Sequence, residues 1–209
     1  MMELIITILA VFVILVGNEL WWRSRTAHSE FSRKFVHITV GSFVATWPFF
    51  LSWHQIEFLS LAFLVVVSAS KFLKVFQAIH SVQRPTWGEL FFAVSVGMVA
   101  LVTHDKWIYA AALLQMALAD GLAAIVGVHY GNRQKYLVFG HPKSVAGTLT
   151  FFIVSASILM AYQHWSGVVL GFGYTAAAAG LATVLENVAV MGLDNLLVPL
   201  VIALMLVNR

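Results

Sequence analysis

The chain has no cysteine and only 4 prolines among its 209 residues. Without thiols there is no disulfide framework, no thiol nucleophile and no Cys-ligated zinc. Charge is scarce too: Asp, Glu, Lys and Arg make up 10% of the sequence, where a soluble domain carries about 25%. The excess is apolar, at 61% against the usual ~45–50%. A globule of this size has too little interior to hide that much apolar surface. These deficits exclude an ordinary soluble protein, a disordered chain and a nucleic-acid module. At about 20 apolar residues per transmembrane helix, the chain holds about seven or eight spans. The expected fold is an all-α polytopic membrane protein, with residues 1–209 forming one integral membrane domain.

Apolar runs and polar breaks divide the chain. The runs are 4–22, 35–53, 56–70, 87–103, 107–130, 144–165 and 167–185, with a last stretch over 188–207 interrupted by Asp194 and Asn195. The first run starts at Glu3 without a basic leader or a small-residue cleavage site, and reads as a retained helix. Tryptophans 21, 22, 47, 53, 87, 107 and 165 sit near run ends, as an interfacial aromatic belt would place them. Loop charge alternates. Arg23, Arg25, Arg33 and Lys34 follow run one, Lys71, Lys74 and Arg84 follow run three, and Arg133, Lys135 and Lys143 follow run five. The positive-inside rule puts these loops in the cytoplasm and the N-terminus outside.

An ionisable side chain within a span costs roughly 2.5–3.5 kcal/mol on insertion scales, so each one calls for a reason. Asp120 lies in the body of run five, on a stripe of small residues with Ala124, Gly127 and Gly131 at helical spacing. Such a stripe admits another helix or a ligand close to the backbone. Glu186 and Asp194 flank the junction of the last two runs, and His37 shares a helical face with Glu30, Arg33/Lys34 and Gly41. By topology, Arg33, Lys34, His37, Lys143, Ser144, Glu186 and Asp194 all meet the cytoplasmic side, with Asp120 deeper on a helix running towards it. A polar cavity on that side is expected. Acids able to hold Mg²⁺ beside bases able to neutralise phosphates make the pattern of phosphoryl chemistry. Each group also has a plainer reading. Arg33 and Lys34 suit topology anchors, Ser144 and Lys143 a helix cap with a snorkelling lysine, and His37 a hydrogen-bonded interfacial residue.

Other signatures are missing. Gly140-His-Pro-Lys143-Ser144 has the Lys-Ser of a phosphate loop without the loop, and no HxxxH pair suggests zinc. His54, His80, His104, His129, His141 and His164 are scattered near run ends and receive no role.

The string Glu30-x-x-Arg33-Lys34-x-x-His37-x-x-x-Gly41 resembles the N-terminal signature of the dolichol kinase/phytol kinase family, which includes CTP-dependent diacylglycerol kinases and is related to phosphatidate cytidylyltransferases. Asp120-x-x-Ala123-x-x-x-Gly127-x-x-x-Gly131 is similar to its central acidic motif, and Lys143-Ser144-x-x-Gly147-Thr148 to its Lys-Ser-x-Glu-Gly element. Glu186 with Asp194-Asn195 and Pro199 resembles its C-terminal pattern. Two positions depart from the family: Ala119 stands where a Gly is usual, and Ala146 where a Glu is, which removes a carboxylate ligand.

The resemblance implies a kinase that moves the terminal phosphate of CTP to the hydroxyl of a membrane lipid alcohol, of the polyprenol, phytol or diacylglycerol class. It implies Mg²⁺ held by Asp120, with Glu186 or Asp194 adding a ligand or activating the hydroxyl. Arg33, Lys34 and Lys143 would neutralise phosphates, and Ser144, the amides near Gly147 and Asn195 would bind the nucleotide. His37 would orient a phosphate or take a proton. A CDP-lipid synthase like the phosphatidate cytidylyltransferases and an ion-coupled transporter remain as other readings. A short chain without targeting features suits a bacterial inner membrane, with the lipid bilayer as its surroundings, no nucleic-acid partner and room for a homodimer.

Overall fold

Apolar runs become helices almost throughout the computed structural model, which describes residues 2–23, 30–73, 87–131 and 134–209. Arg25, Lys74, Arg84 and Arg133 of the basic loops lie outside the described residues. In chain order the elements are α1 (Met2–Arg23), α2 (Glu30–Ala45), α3 (Trp53–Leu73), α4 (Gly88–Val102) and α5 (Lys106–Leu114). A π-helical turn, Gln115–Ala119, joins α5 to α6 (Asp120–Tyr130). Then come β1 (Lys135–Val138), β2 (His141–Ser144), α7 (Val145–Ser166), α8 (Phe172–Val188) and α9 (Asp194–Val207).

Among the described residues three segments are long and apolar enough to cross a membrane: Met2–Trp21, Lys106–Tyr130 and Val145–Ser166. Shorter apolar helices cover Trp53–Ala69, Gly88–Val102 and Asp194–Val207. The chain is a nearly all-helical membrane protein. Run two is shorter as a helix than its apolar length suggests. α2 stops at Ala45, and Trp47–Phe49 tightens into a 3₁₀ turn with Pro48 in its first positions, where a missing N–H and a fixed φ are tolerated. The connection from α6 to α7 departs from the all-helical expectation, since β1 and β2 pair as an antiparallel hairpin.

The α5–π–α6 segment lies centrally, packed against α2, α7 and α9. Asp105 caps its start by accepting from the amides of Trp107 at 2.7 Å and Ile108 at 3.1 Å, the usual role of an Asp N-cap. Glycines let α2 come close. A Cβ at Gly41 would lie 2.6 Å from the Ala117 Cβ and 3.5 Å from its Cα. Gly41→Val is therefore expected to destabilise the fold by about 1–3 kcal/mol, the range for overpacking, visible as a lower melting temperature in detergent. An unchanged Tm would contradict this close approach.

Candidate active site

The face of α2 carrying Lys34, His37, Ile38 and Gly41 docks on the π turn and the start of α6. Ile38 fills the space where Gly121 has no side chain, as Ala117 does at Gly41. This contact brings Lys34 Nζ to 2.5 Å from Asp120 Oδ2, with both side chains largely buried. His37 Nε2 lies 3.1 Å from the Met116 carbonyl and 3.7 Å from the same Asp120 oxygen. A carbonyl only accepts, so Nε2 is the nitrogen that donates and Nδ1 is left to take a proton. The Phe92 ring, edge-on at 5.4 Å, holds the imidazole in place. The π turn directly precedes Asp120, and a single π turn within a longer helix is frequent at functional sites.

The hairpin builds a second pair. Its register sets Tyr136 opposite Lys143, so both side chains project from one face. That face lies on the end of α8. Lys143 Nζ donates to Glu186 Oε1 at 2.5 Å and to the Glu186 carbonyl at 2.8 Å. Tyr136 donates its hydroxyl to Asn187 Oδ1 at 2.5 Å and is hydrogen-bonded to Thr148. With the Tyr136 proton so committed, Thr148 donates its own to the Tyr136 oxygen, and its hydroxyl oxygen lies 3.2 Å from Asn187 Oδ1. Ser144 ends β2 and caps α7, its Oγ accepting from the Gly147 amide at 3.1 Å.

The small-residue stripe of α6 serves this junction. A Cβ at Gly127 would lie 2.9 Å from Ser144 Oγ and 3.5 Å from the Gly147 Cα, so the stripe seats the start of α7 rather than open space. Tyr136 and Asn187 were not singled out in the sequence. Their only signal was alternation across 135–138, where Lys135 had marked a basic loop, and the position of Asn187 beside Glu186.

The two pairs share one electrostatic field. Asp120 feels Lys143 as well as Lys34 and His37, and Glu186 feels Asp120 and Lys34 as well as Lys143. Asp194, at the start of α9, interacts with Asp120, Lys34, Lys143 and Glu186. Arg33 acts on Lys34 and His37. Residues from five helices and the hairpin thus meet at one end of the bundle. Asn195 donates its Nδ2 to the Gly88 carbonyl at 3.0 Å, tying α9 to α4.

Among the described residues no three His, Asp or Glu side chains converge into a preformed metal cage. Mg²⁺ usually keeps several waters and takes one or two carboxylates plus substrate phosphates. The hard oxygen donors of Asp120, Asp194 and Glu186 suit that mode of binding. Beside Lys34 runs a shallow groove lined by Phe31, Ala124, Ile125 and Val128, with the lysine as its charged wall.

The Tyr136 hydroxyl has a testable part in this arrangement. Tyr136→Phe should destabilise the protein by about 1 kcal/mol, the usual net worth of a hydrogen bond. It should also raise KM by loosening the hairpin that presents Lys143. A change in stability with KM untouched would limit Tyr136 to a structural role.

No family model matches the chain, and no solved structure does. Curated relatives do. The chain is 34% identical over 200 residues to the phytol kinase of Synechocystis sp., an alignment covering 90% of this chain and 82% of that protein. It is 28% identical over 194 residues to "Probable phytol kinase 1, chloroplastic" of Glycine max, covering 81% of this chain and 63% of that longer protein. The dolichol/phytol kinase resemblance read from the motifs thus meets an independent likeness over nearly the whole sequence. The chain belongs to the phytol/dolichol kinase family, and it is a phosphotransferase with an alcohol acceptor.

Proposed function

We propose that the protein transfers the terminal phosphate of CTP to the hydroxyl of an isoprenoid lipid alcohol such as phytol or a polyprenol, with Mg²⁺, at the cytoplasmic face of the membrane. The observation that carries this reading is the pair of lysine–carboxylate contacts, Lys34–Asp120 and Lys143–Glu186, set in one field at one end of the bundle. If the apolar helices cross in alternation as seven or eight spans of one membrane domain, that end is the side to which the basic loops point. Phe31, Ala124, Ile125 and Val128 give an apolar surface beside Lys34, in keeping with an acceptor whose tail stays in lipid. The names of the relatives favour phytol as the first acceptor to try.

In this mechanism the acceptor oxygen attacks the γ-phosphorus, the bond from that phosphorus to the β–γ bridging oxygen breaks, and CDP leaves. Asp120, with Glu186 or Asp194, would hold Mg²⁺, which when bound would supply positive charge to neutralise the phosphates. His37 takes the hydroxyl proton at Nδ1, and Asp120 stabilises the imidazolium that results. Lys34, Lys143 and Arg33 balance the charge that shifts to the leaving nucleotide.

The test is a grid of acceptors (phytol, a polyprenol, diacylglycerol) against donors (CTP, UTP, ATP), with Mg²⁺ or with a chelator, using protein in lipid nanodiscs. The expected product is a phosphorylated isoprenoid alcohol formed from CTP, lost on chelation. Product from ATP alone, or undiminished by the chelator, would overturn the donor or the metal assignment.

A further inference from the structure

The hairpin that carries Lys143 ends in an unfavourable turn. Val138 pairs with His141, so the loop is Phe139 and Gly140, with φ of 46° and 79°. Two-residue hairpin loops with both φ positive favour Asn-Gly or Gly-Gly, because a Cβ is poorly tolerated there. A bulky Phe at positive φ is a steric outlier. This one gains nothing from the protein in return, since it is 77% exposed. Strain kept in a native fold points to something that compensates for it.

The neighbours of Phe139 suggest what compensates. Along β1 exposure alternates: Tyr136 turns inward to Asn187, while Leu137 turns outward and is 73% exposed. Pro142 is its cross-strand partner and is exposed as well. The outer side of the hairpin is therefore apolar at its tip and flanked by exposed Lys135. Both ends of the hairpin continue into segments long and apolar enough to span a membrane, Lys106–Tyr130 and Val145–Ser166. Its strands are only 4 residues each, a rise of about 13 Å, so the tip cannot stray far from the bilayer surface. The adjoining turn of α6 also shows apolar surface, through Val128 and Tyr130.

We propose that the 135–144 hairpin is an interfacial anchor whose tip, Leu137, Phe139 and Pro142, lies in the headgroup–acyl boundary of the bilayer. Phe and Leu at that depth gain the burial they lack in the protein, and Lys135 stays among anionic headgroups. The anchor fixes the depth of the opposite face, and with it Lys143, against the membrane in which the acceptor alcohol sits.

The chain has no cysteine, so Phe139→Cys and, separately, Leu137→Cys each offer one labelling site in an otherwise intact protein. Each variant would carry a polarity-sensitive fluorophore in phosphatidylcholine/phosphatidylglycerol nanodiscs, where both faces meet solvent. The expected result is stronger quenching by nitroxide on lipid acyl chains than by aqueous iodide, as for a side chain at the acyl boundary. Preferential quenching by iodide would place the tip in water, and shielding from both quenchers would place it against protein. Either result would overturn the proposal, and neither depends on turnover.

Discussion

Asp120→Asn is expected to lower phosphoryl transfer by at least about 10²–10³-fold, the usual loss when one preorganised electrostatic contact is removed. The same change should destabilise the fold. Lys34 lies 2.5 Å from Asp120 Oδ2 with its side chain only 12% exposed, and stripping the partner from a buried ion pair costs about 3–5 kcal/mol. A loss of activity alone would therefore be ambiguous. The double variant Lys34→Met/Asp120→Asn separates the two effects, because neutral groups of similar volume restore most of the stability. It should melt close to the native protein and remain inactive. A stable double variant with near-native turnover would show that the pair only joins α2 to α6.

Lys143→Met should reduce kcat by a similar ~10²–10³-fold with a smaller change in stability, because Lys143 is more open, at 22% exposed. Its ammonium donates to both the carboxylate and the carbonyl of Glu186, at 2.5 and 2.8 Å. Lys143→Arg should recover only part of the rate, since a planar guanidinium cannot place its charge at the same point. Steady-state kinetics with saturating nucleotide, set beside a thermal melt, checks both. Equal kcat in Lys143→Met and native protein would remove Lys143 from the transition state.

Composition made the membrane class legible, because 10% charge against 61% apolar residues leaves few other ways to satisfy the chain. The same scarcity made the site legible. When charges are few, Asp120 inside an apolar run and Lys143 and Glu186 at run ends stand out singly, and topology suggests that they share a side. Their pairing was hidden. Lys34 read as readily as an anchor, and only the docking of Gly41 on Ala117 and of Ile38 on Gly121 brings it to Asp120. The hairpin was hidden for another reason. Its strands are too short to show a clear period, and a Phe-Gly turn lacks the Asn-Gly signal that marks such loops. Tyr136 and Asn187 carry no sequence signal of their own for the same reason, since only the paired strands bring them together.

The most direct test of the central claim follows phosphorus from donor to lipid. Purified protein in nanodiscs containing phytol would be given Mg²⁺ and CTP labelled at the γ-phosphate, and in parallel CTP labelled at the α-phosphate. The account predicts label in the lipid product from the γ position only, with CDP released. Lipid label from the α position only, with release of pyrophosphate, would contradict it, because a nucleotidyl group and not a phosphoryl group would then have moved.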